Sequence, residues 1–577
     1  MIRRAWVAAG ALAVGAVLMA AGVGWRLARA APPPAAPPCS VAALSALAKG
    51  AATIASATTA QAGGATYCKV EGSVATLGDG APPGTARFEL NLPAAWNRKV
   101  IFVGGGGFDG EVPPTPASEV ARGYATLGTD SGHVGGRGYV DAGLDIGWVR
   151  TASGERDAAR LADYAIRARH AVDIKVRPIV SRYYRGAKVE RAYFMGCSGG
   201  GREALIEAQR HPEAFDGFIA GDPWVNARSG LLAARNFRVL LDAPIPYAKF
   251  AAIDAAVRQE CDKADGVADG LIQNPAACRF DPRTLVKAGV LTAAQADALE
   301  RYLTAVRDSD GRFVTYGGSV AGIGDLSGVL PGIAGGLTGL SVYQTDPPAP
   351  APEAAQPWGS LGKGTVGWML SYGVLAGLAF NDPDLDIVGQ GVLDLTGGVR
   401  PGAVAMVDQQ LSPMVVDPSA MAAMFKKKRK LIIYQGYADA ILDPFSTIAV
   451  YRRIAAAGGG LSKASASARL FMVPDMQHCA GGTGPNAFDP LAAMEAWVER
   501  GVAPAAIIAS KFEGGDPTKR VLRTMPLCPY PQMARYDGHG DVNQASSWRC
   551  PAGDKGLLEL GPAGRKAGAA KDIVPPE

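Results

Sequence analysis

The sequence predicts an α/β fold, a mostly parallel sheet covered by helices on both faces. Short apolar β-runs alternate with helical periodicity before residue 224 and again after residue 421. The stretch Arg191 to Glu203, RAYFMGCSGGGRE, joins a β-run (Val189 to Met195) to a helix-forming run (Arg202 to Gln209) through a glycine-rich turn around Ser198. Strand, sharp turn and helix in that order suit the edge of a parallel sheet.

At 577 residues the chain is too long for one simple core, so one elaborated domain or two are expected. Met1 to Ala30 carries Arg3 and Arg4, an apolar stretch from Ala5 to Val23, and Ala28-Arg29-Ala30. This has the form of an export signal, with an uncleaved anchor as the alternative because the apolar stretch approaches bilayer length. Residues 31–38 form a Pro/Ala linker. Glu71 to Leu92 alternates as paired strands do, and Lys99 to Val103 is an apolar β-run ending in Gly104 to Gly107. Tyr124 to Asp130 is a further strand, Arg156 to Tyr184 a helix, and Phe218 to Ala220 a strand after the serine turn.

From Trp224 to Met421 the alternation breaks down. Helical pieces (Ala251 to Gln259, Ala293 to Arg307) surround a Gly-rich middle (Gly317 to Gly339) and the Pro-rich segment Asp346 to Pro357. This is far longer than a βα connection requires, so residues 225–420 are expected to be an inserted lid domain. Strand and helix then resume as Lys430 to Tyr434, Pro444 to Ala457, Ala468 to Val473 and Pro490 to Arg500. The core would comprise residues 39–224 and 421–551, with a fraying tail at 552–577.

The formal charge of +5 is small for this length, and the one basic run, Lys426 to Lys430, leads into an apolar strand. That reads as a solvated strand start, so no nucleic acid is expected as a partner and no protein partner is implied. Eight cysteines, at 39, 68, 197, 261, 278, 479, 528 and 550, occur without a C-x-x-C or Cys/His cluster. Disulfides in a secreted or periplasmic protein are expected rather than zinc.

The frame Gly196-Cys197-Ser198-Gly199-Gly200 matches G-x-S-x-G, the nucleophile elbow that lifts a hydroxyl above a sheet. A serine attacks only when a base takes its proton and an acid orients that base. In an α/β-hydrolase core the order is Ser, then acid, then His, each late member following a strand. Of five histidines only His478 and His539 lie late enough, and His478 alone follows a β-run. Asp439 is the preferred acid, in the loop after Lys430 to Tyr434. Its competitor Asp443 precedes Pro444, where a carboxylate serves the helix N-terminus. Oxyanion donors are expected from the amides of Gly199 and Gly107. The four glycines are not followed by the Gly-Lys-Ser/Thr of a phosphate-binding loop. If Cys197 and Cys479 pair, the bridge ties the serine turn to the histidine loop.

With GGGGFDG at 104–110, GCSGGGRE at 196–203, QGYAD at 435–439, the His-Cys pair at 478–479 and LCPYPQMARYDGHGD at 527–541, the chain resembles the tannase and feruloyl esterase family. The resemblance implies an α/β-hydrolase core with a large inserted lid domain and a catalytic set Ser198, Asp439 and His478. It implies bridges Cys197–Cys479, Cys261–Cys278, Cys39–Cys68 and Cys528–Cys550. It also implies a structural Ca²⁺ site in the lid, with Asp262, Asp265 and Asp269 giving carboxylate oxygens and Val267 and Leu271 giving carbonyls. Where the family has His before the Gly of its acid loop, this chain has Gln435.

The activity implied is hydrolysis of a small-molecule aromatic ester such as a gallate, a ferulate or a terephthalate half-ester. Trp224, Trp358, Trp368, Tyr372 and Phe380 are candidates for the wall around the acyl group. Other readings are an amidase or peptidase, or an exported carbohydrate- or polymer-binding protein on the same scaffold.

Overall fold

The computed structural model describes residues 37–136, 144–328, 336, 338–347 and 364–557. The expected export segment, all but the end of the linker, Trp358 and the tail beyond residue 557 lie outside them.

The sheet has nine strands: β1 (Thr53–Ala62), β2 (Ala65–Thr76), β3 (Gly84–Pro93), β4 (Lys99–Val103), β5 (Ala125–Thr129), β6 (Arg191–Cys197), β7 (Gly217–Gly221), β8 (Lys430–Gly436) and β9 (Ala468–Val473). Their order is β1-β2-β3-β5-β4-β6-β7-β8-β9. The first three pair antiparallel and β3 meets β5 antiparallel, while β5 through β9 run parallel.

The parallel strands are nearly continuous apolar runs because both of their faces are covered. Alternate residues sort to opposite faces. Phe102, Phe194, Phe218 and Ile433 join one cluster, with side chains from α1 (Ala168–Tyr183), α2 (Gly199–Arg210) and, further along the chain, the helix Pro444–Ala457. Their neighbours Ile101, Tyr193, Ile219 and Ile432 face the other way, against Leu491, Met494 and Trp497 of the helix Pro490–Arg500.

Between β7 and β8 the chain leaves the sheet and builds the inserted lid domain. Its helices are α3 (Ser229–Asp242), α4 (Phe250–Cys261), α5 (Ala293–Leu303), α6 (Val366–Tyr372) and α7 (Pro401–Leu411), and the core pair that follows is α8 (Pro444–Ala457) and α9 (Pro490–Arg500). The lid has its own apolar centre, including Phe237, Ile253, Leu299, Tyr302, Trp368 and Leu375. It presses on the core through a widened helical stretch at Gly373–Phe380. A Cβ at Gly373 would fall 2.6 Å from the Phe108 ring and one at Gly377 2.2 Å from Ile146, so only glycine permits this approach.

Helix α5 ends at Leu303, short of the expected Arg307, because Val306–Arg307 turns into a small ladder with Phe313–Thr315. Four cysteine pairs are bonded: 39 with 68, 197 with 479, 261 with 278, and 528 with 550. Such a set belongs to a protein that folds in an oxidising, extracytoplasmic compartment. Among the described residues no helix is long and apolar enough to cross a membrane.

Candidate active site

Strand β6 stops at Cys197, α2 starts at Gly199, and Ser198 between them has φ 61° and ψ −121°. That conformation costs a non-glycine residue about 1–3 kcal/mol and persists only where neighbours hold it. Here the Ser198 amide donates to the Gly221 carbonyl at 2.9 Å, and the Ser198 carbonyl accepts from Arg202 and Trp224 at 3.0 and 3.2 Å. Space fixes the glycines around it. A Cβ at Gly196 would lie 2.5 Å from the Gly200 carbonyl, and one at Gly200 would lie 2.6 Å from that of Gly105.

The loop after β4 lies directly against this turn. A Cβ on Gly199 would stand 2.9 Å from the Gly107 oxygen and 3.1 Å from its nitrogen, so the two expected oxyanion donors are neighbours. Buried groups hold the loop: Glu203 accepts from the Gly105 amide at 3.0 Å, and the Tyr164 hydroxyl donates to the Gly107 carbonyl at 3.1 Å.

Asp439 and His478 come from the loops after β8 and β9. The Asp439 carboxylate is buried; its Oδ1 accepts from the Ile441 and Leu442 amides at 2.9 Å each, and its Oδ2 lies 2.8 Å from His478 Nδ1. Burial pushes the His478 imidazole down, but the charge and hydrogen bond of Asp439, with the charge of Asp222, outweigh it and leave the ring more basic than usual. The Cys197–Cys479 bridge, with Cα atoms 6.0 Å apart, joins the residue before Ser198 to the residue after His478.

The two competitors are employed elsewhere. Asp443 Oδ1 accepts from the Ser446 amide at 2.7 Å and caps α8, while burial raises its carboxyl to about 6. His539 sits on an exposed turn, with Nδ1 against the Asp537 carbonyl.

A cleft opens beside Ser198, Gly107 and Gly199. Its wall includes Phe108, Trp224, Tyr343, Leu370, Val374 and Leu442, and no charged side chain lines it among the described residues. Of the aromatics expected there, Trp224 is present. Trp368 instead meets Phe237 edge-on inside the lid at 5.1 Å, and the Tyr372 hydroxyl is spent on the Pro383 carbonyl. Phe380 is partly buried against the lid core. Phe108 could have been found in the sequence, since it follows Gly107 directly. Tyr343 and the buried Asp222 carried no signal there.

Asp262, Asp265 and Asp269 share one turn after α4, closed by the Cys261–Cys278 bridge. Burial, with charge from the other two aspartates, pushes Asp265 up to about 6. Asp262 accepts from the Asp269 and Gly270 amides, and Asp269 meets Arg523 at 3.3 Å. The three side chains are hard-oxygen donors of the kind Ca²⁺ takes, but they are not among the described groups whose ligand atoms converge within 4.8 Å of one another.

The sequence profile described as tannase and feruloyl esterase matches residues 68–356 and 399–551. An esterase of Xanthomonas campestris pv. campestris, described as uncharacterized, is 33% identical over 517 residues, 82% of this chain and 84% of that protein. The mono(2-hydroxyethyl) terephthalate hydrolase of Piscinibacter sakaiensis is 30% identical over 532 residues, covering 84% and 85%. The crystal structure of feruloyl esterase B from Aspergillus oryzae superposes with a TM-score of 0.69 at 22% identity, over 88% of this chain and all (100%) of that one. The fold is therefore an α/β-hydrolase core with an inserted lid, and the chain, a carboxylic ester hydrolase, belongs to the tannase and feruloyl esterase family.

Proposed function

We propose that the protein is a serine esterase that hydrolyses uncharged esters of aromatic hydroxyacids through an acyl-enzyme. The observation that carries this reading is the pairing of Asp439 with His478 at 2.8 Å, tied by a disulfide to a strained serine beside an uncharged apolar cleft.

His478, oriented through Nδ1 by Asp439, takes the Ser198 proton at Nε2 as Oγ bonds to the ester carbonyl carbon. The carbonyl oxygen becomes an oxyanion facing the Gly107 and Gly199 amides. The C–O bond to the alcohol breaks, and the alcohol leaves with the proton from His478. Water, deprotonated by the same ring, then attacks the acyl-serine and releases the acid. A binding protein on this scaffold gains nothing from a strained serine, which argues against the non-catalytic alternative.

A second reading is favoured by the likeness to the terephthalate half-ester hydrolase. A half-ester of that acid carries a free carboxylate. Burying it without a partner costs several kcal/mol, and the described cleft wall offers no cation. Neutral aromatic esters are therefore preferred.

Residues 225–420 would act as the lid over this acyl group. Asp262, Asp265 and Asp269, with the Val267 and Leu271 carbonyls, would hold a structural Ca²⁺ within it. A signal at residues 1–30 would direct export.

Methyl ferulate, methyl gallate and a terephthalate half-ester, assayed with wild type and Ser198→Ala, test the reading. Turnover of the neutral esters and a loss of about 10⁵-fold or more in Ser198→Ala are expected. Equal activity in the two proteins would remove the mechanism. A half-ester preferred over both neutral esters would overturn the substrate assignment.

A further inference from the structure

Asp222 directly follows β7, and no step above uses it. It is fully buried, and its φ of 34° lies in the left-handed region that aspartate seldom adopts. Its amide donates to the Tyr434 carbonyl at 2.8 Å. Its Oδ1 accepts from the Gly436 amide at 2.8 Å and from Gln435 Nε2 at 2.9 Å.

Gln435 Nε2 also donates to Asp439 Oδ2 at 3.1 Å, the same oxygen that receives His478 Nδ1. The Thr447 hydroxyl donates to Gln435 Oε1 at 2.8 Å, which fixes the amide with its nitrogen toward both carboxylates. On its other side Asp222 accepts from the Cys479 amide, and its Oδ2 lies 3.8 Å from the Cys197 sulfur. One carboxylate thus bonds to the acid loop and to the histidine loop, and touches the bridge to the serine turn. Polar atoms of Asp222, Asp439 and His478 lie within 4.8 Å of one another.

We propose that Asp222 is a positioning residue of the catalytic centre. It fixes Asp439 through Gln435 and the His478 loop through the Cys479 amide, and its charge adds to that of Asp439 in stabilising the imidazolium formed as Ser198 attacks. The proposal rests on the Ser198–Asp439–His478 assignment. A buried carboxylate is costly wherever no positive charge answers it, and the charge brought beside this one is the His478 imidazolium that forms during turnover. Burial and the Asp439 charge push the Asp222 carboxyl well up, and the His478 charge pulls it back down, so an imidazolium favours its ionised form.

The charge and the hydrogen bonds are separable. Asp222→Asn keeps an acceptor for Gly436 and Gln435 but removes the charge. His478 must be neutral to act as base, and the Asp222 charge raises its pKa. Removing that charge therefore moves the acid limb of the kcat/KM profile to lower pH, whereas a purely structural role would leave the limb in place. The other titrating groups facing this cluster are Tyr434 on β8, Tyr302 and Tyr343 from the lid, and Asp443. The tyrosines are pushed up and stay neutral across the range. Asp443, at about 6, titrates within it, so the comparison is repeated in an Asp443→Asn background.

The expected result is a limb displaced downward by about half a pH unit or more in Asp222→Asn. Asp222→Ala, which lacks the acceptor, is expected to lose about tenfold or more in kcat at similar KM. A limb superimposable on wild type in both backgrounds overturns the proposal, as does wild-type kcat in Asp222→Ala. If Asp222 variants do not fold, Gln435→Leu breaks the bridge alone, and an unchanged kcat there is equally fatal. Ser198→Ala in the same assay reports on the triad separately, so failure of the two readings is distinguishable.

Discussion

The loops that close β6, β8 and β9 and the lid that covers them differ in what holds them. Each oxygen of Asp439 is bonded: Oδ1 to two amides, and Oδ2 to Gln435 and His478. A disulfide spans the serine and histidine loops. The lid face of the cleft is instead apolar, with Tyr343 on the Ala440 carbonyl among its few directional contacts. Directional bonds fix atoms to fractions of an ångström, while apolar contacts tolerate exchange of shape at constant volume. On the proposed mechanism the chemistry is vested in the sheet edge and the choice of acyl group in the cleft wall, so variants of the two should fail in different parameters.

The sharpest break is on the sheet side. Asp439→Asn is nearly isosteric and keeps an acceptor for the loop amides. It removes the charge that orients and protonates His478 correctly, so kcat should fall about 10⁴-fold with KM changed little. Steady-state kinetics on methyl ferulate check this. A loss below tenfold would mean that Asp439 is not the orienting acid, and Asp222 would become the candidate.

The cleft wall should break more gently, at the residue where the chain passes from core to lid. Trp224 lines the cleft, and its indole Nε1 donates to the Asn226 carbonyl and to Ser229 Oγ. Trp224→Ala should cost about 10- to 100-fold in kcat/KM, mostly through KM for aromatic acyl groups, and far less for an acetyl ester. An equal loss on acetyl and feruloyl substrates would show that Trp224 serves the machinery and not the choice of substrate, and the division between the two regions would fail.

The same division decided what could be read from the chain. The sheet edge was legible because each loop must follow an apolar β-run in a fixed order, and the elbow leaves room only for glycine at 196, 199 and 200. Strand β1, TIASATTAQA, escaped notice because an edge strand exposes much of its surface and shows little apolar periodicity. The hairpin Ile507–Phe512 with Val521–Leu527 was hidden in the same way, by exposed Ile508, Val521 and Leu522 outside any clear pattern. Around the cleft, aromatic residues alone could not separate wall from core: Trp224 and Trp368 are 6% and 8% exposed, yet of the two only Trp224 lines the cleft. Asp222 was invisible because Asp-Pro after a strand reads as an ordinary turn.

The proposed Ca²⁺ turn joins the two regions, and removal of its metal should have the smallest effect on rate. Arg258 of α4 binds Asp254 on its own helix and reaches Asp475, in the loop that carries His478, at 2.8 Å; its guanidinium also meets the Gly270 carbonyl. Loosening the loop therefore relaxes a strut of the histidine loop without touching the Asp439 pair. Chelation with EDTA should lower the melting temperature by a few degrees and leave kcat at 25 °C within about twofold. The pH dependence has a definite sign. Asp265, raised to about 6 in the metal-free fold, favours folding while protonated, and that contribution is lost as pH rises through about 6. Ca²⁺ binds the ionised carboxylates, so the gap between calcium-loaded and chelated protein should widen from about pH 5 to about pH 7. Identical melting curves with calcium and with EDTA at both values would mean that the Asp262–Leu271 turn holds no metal.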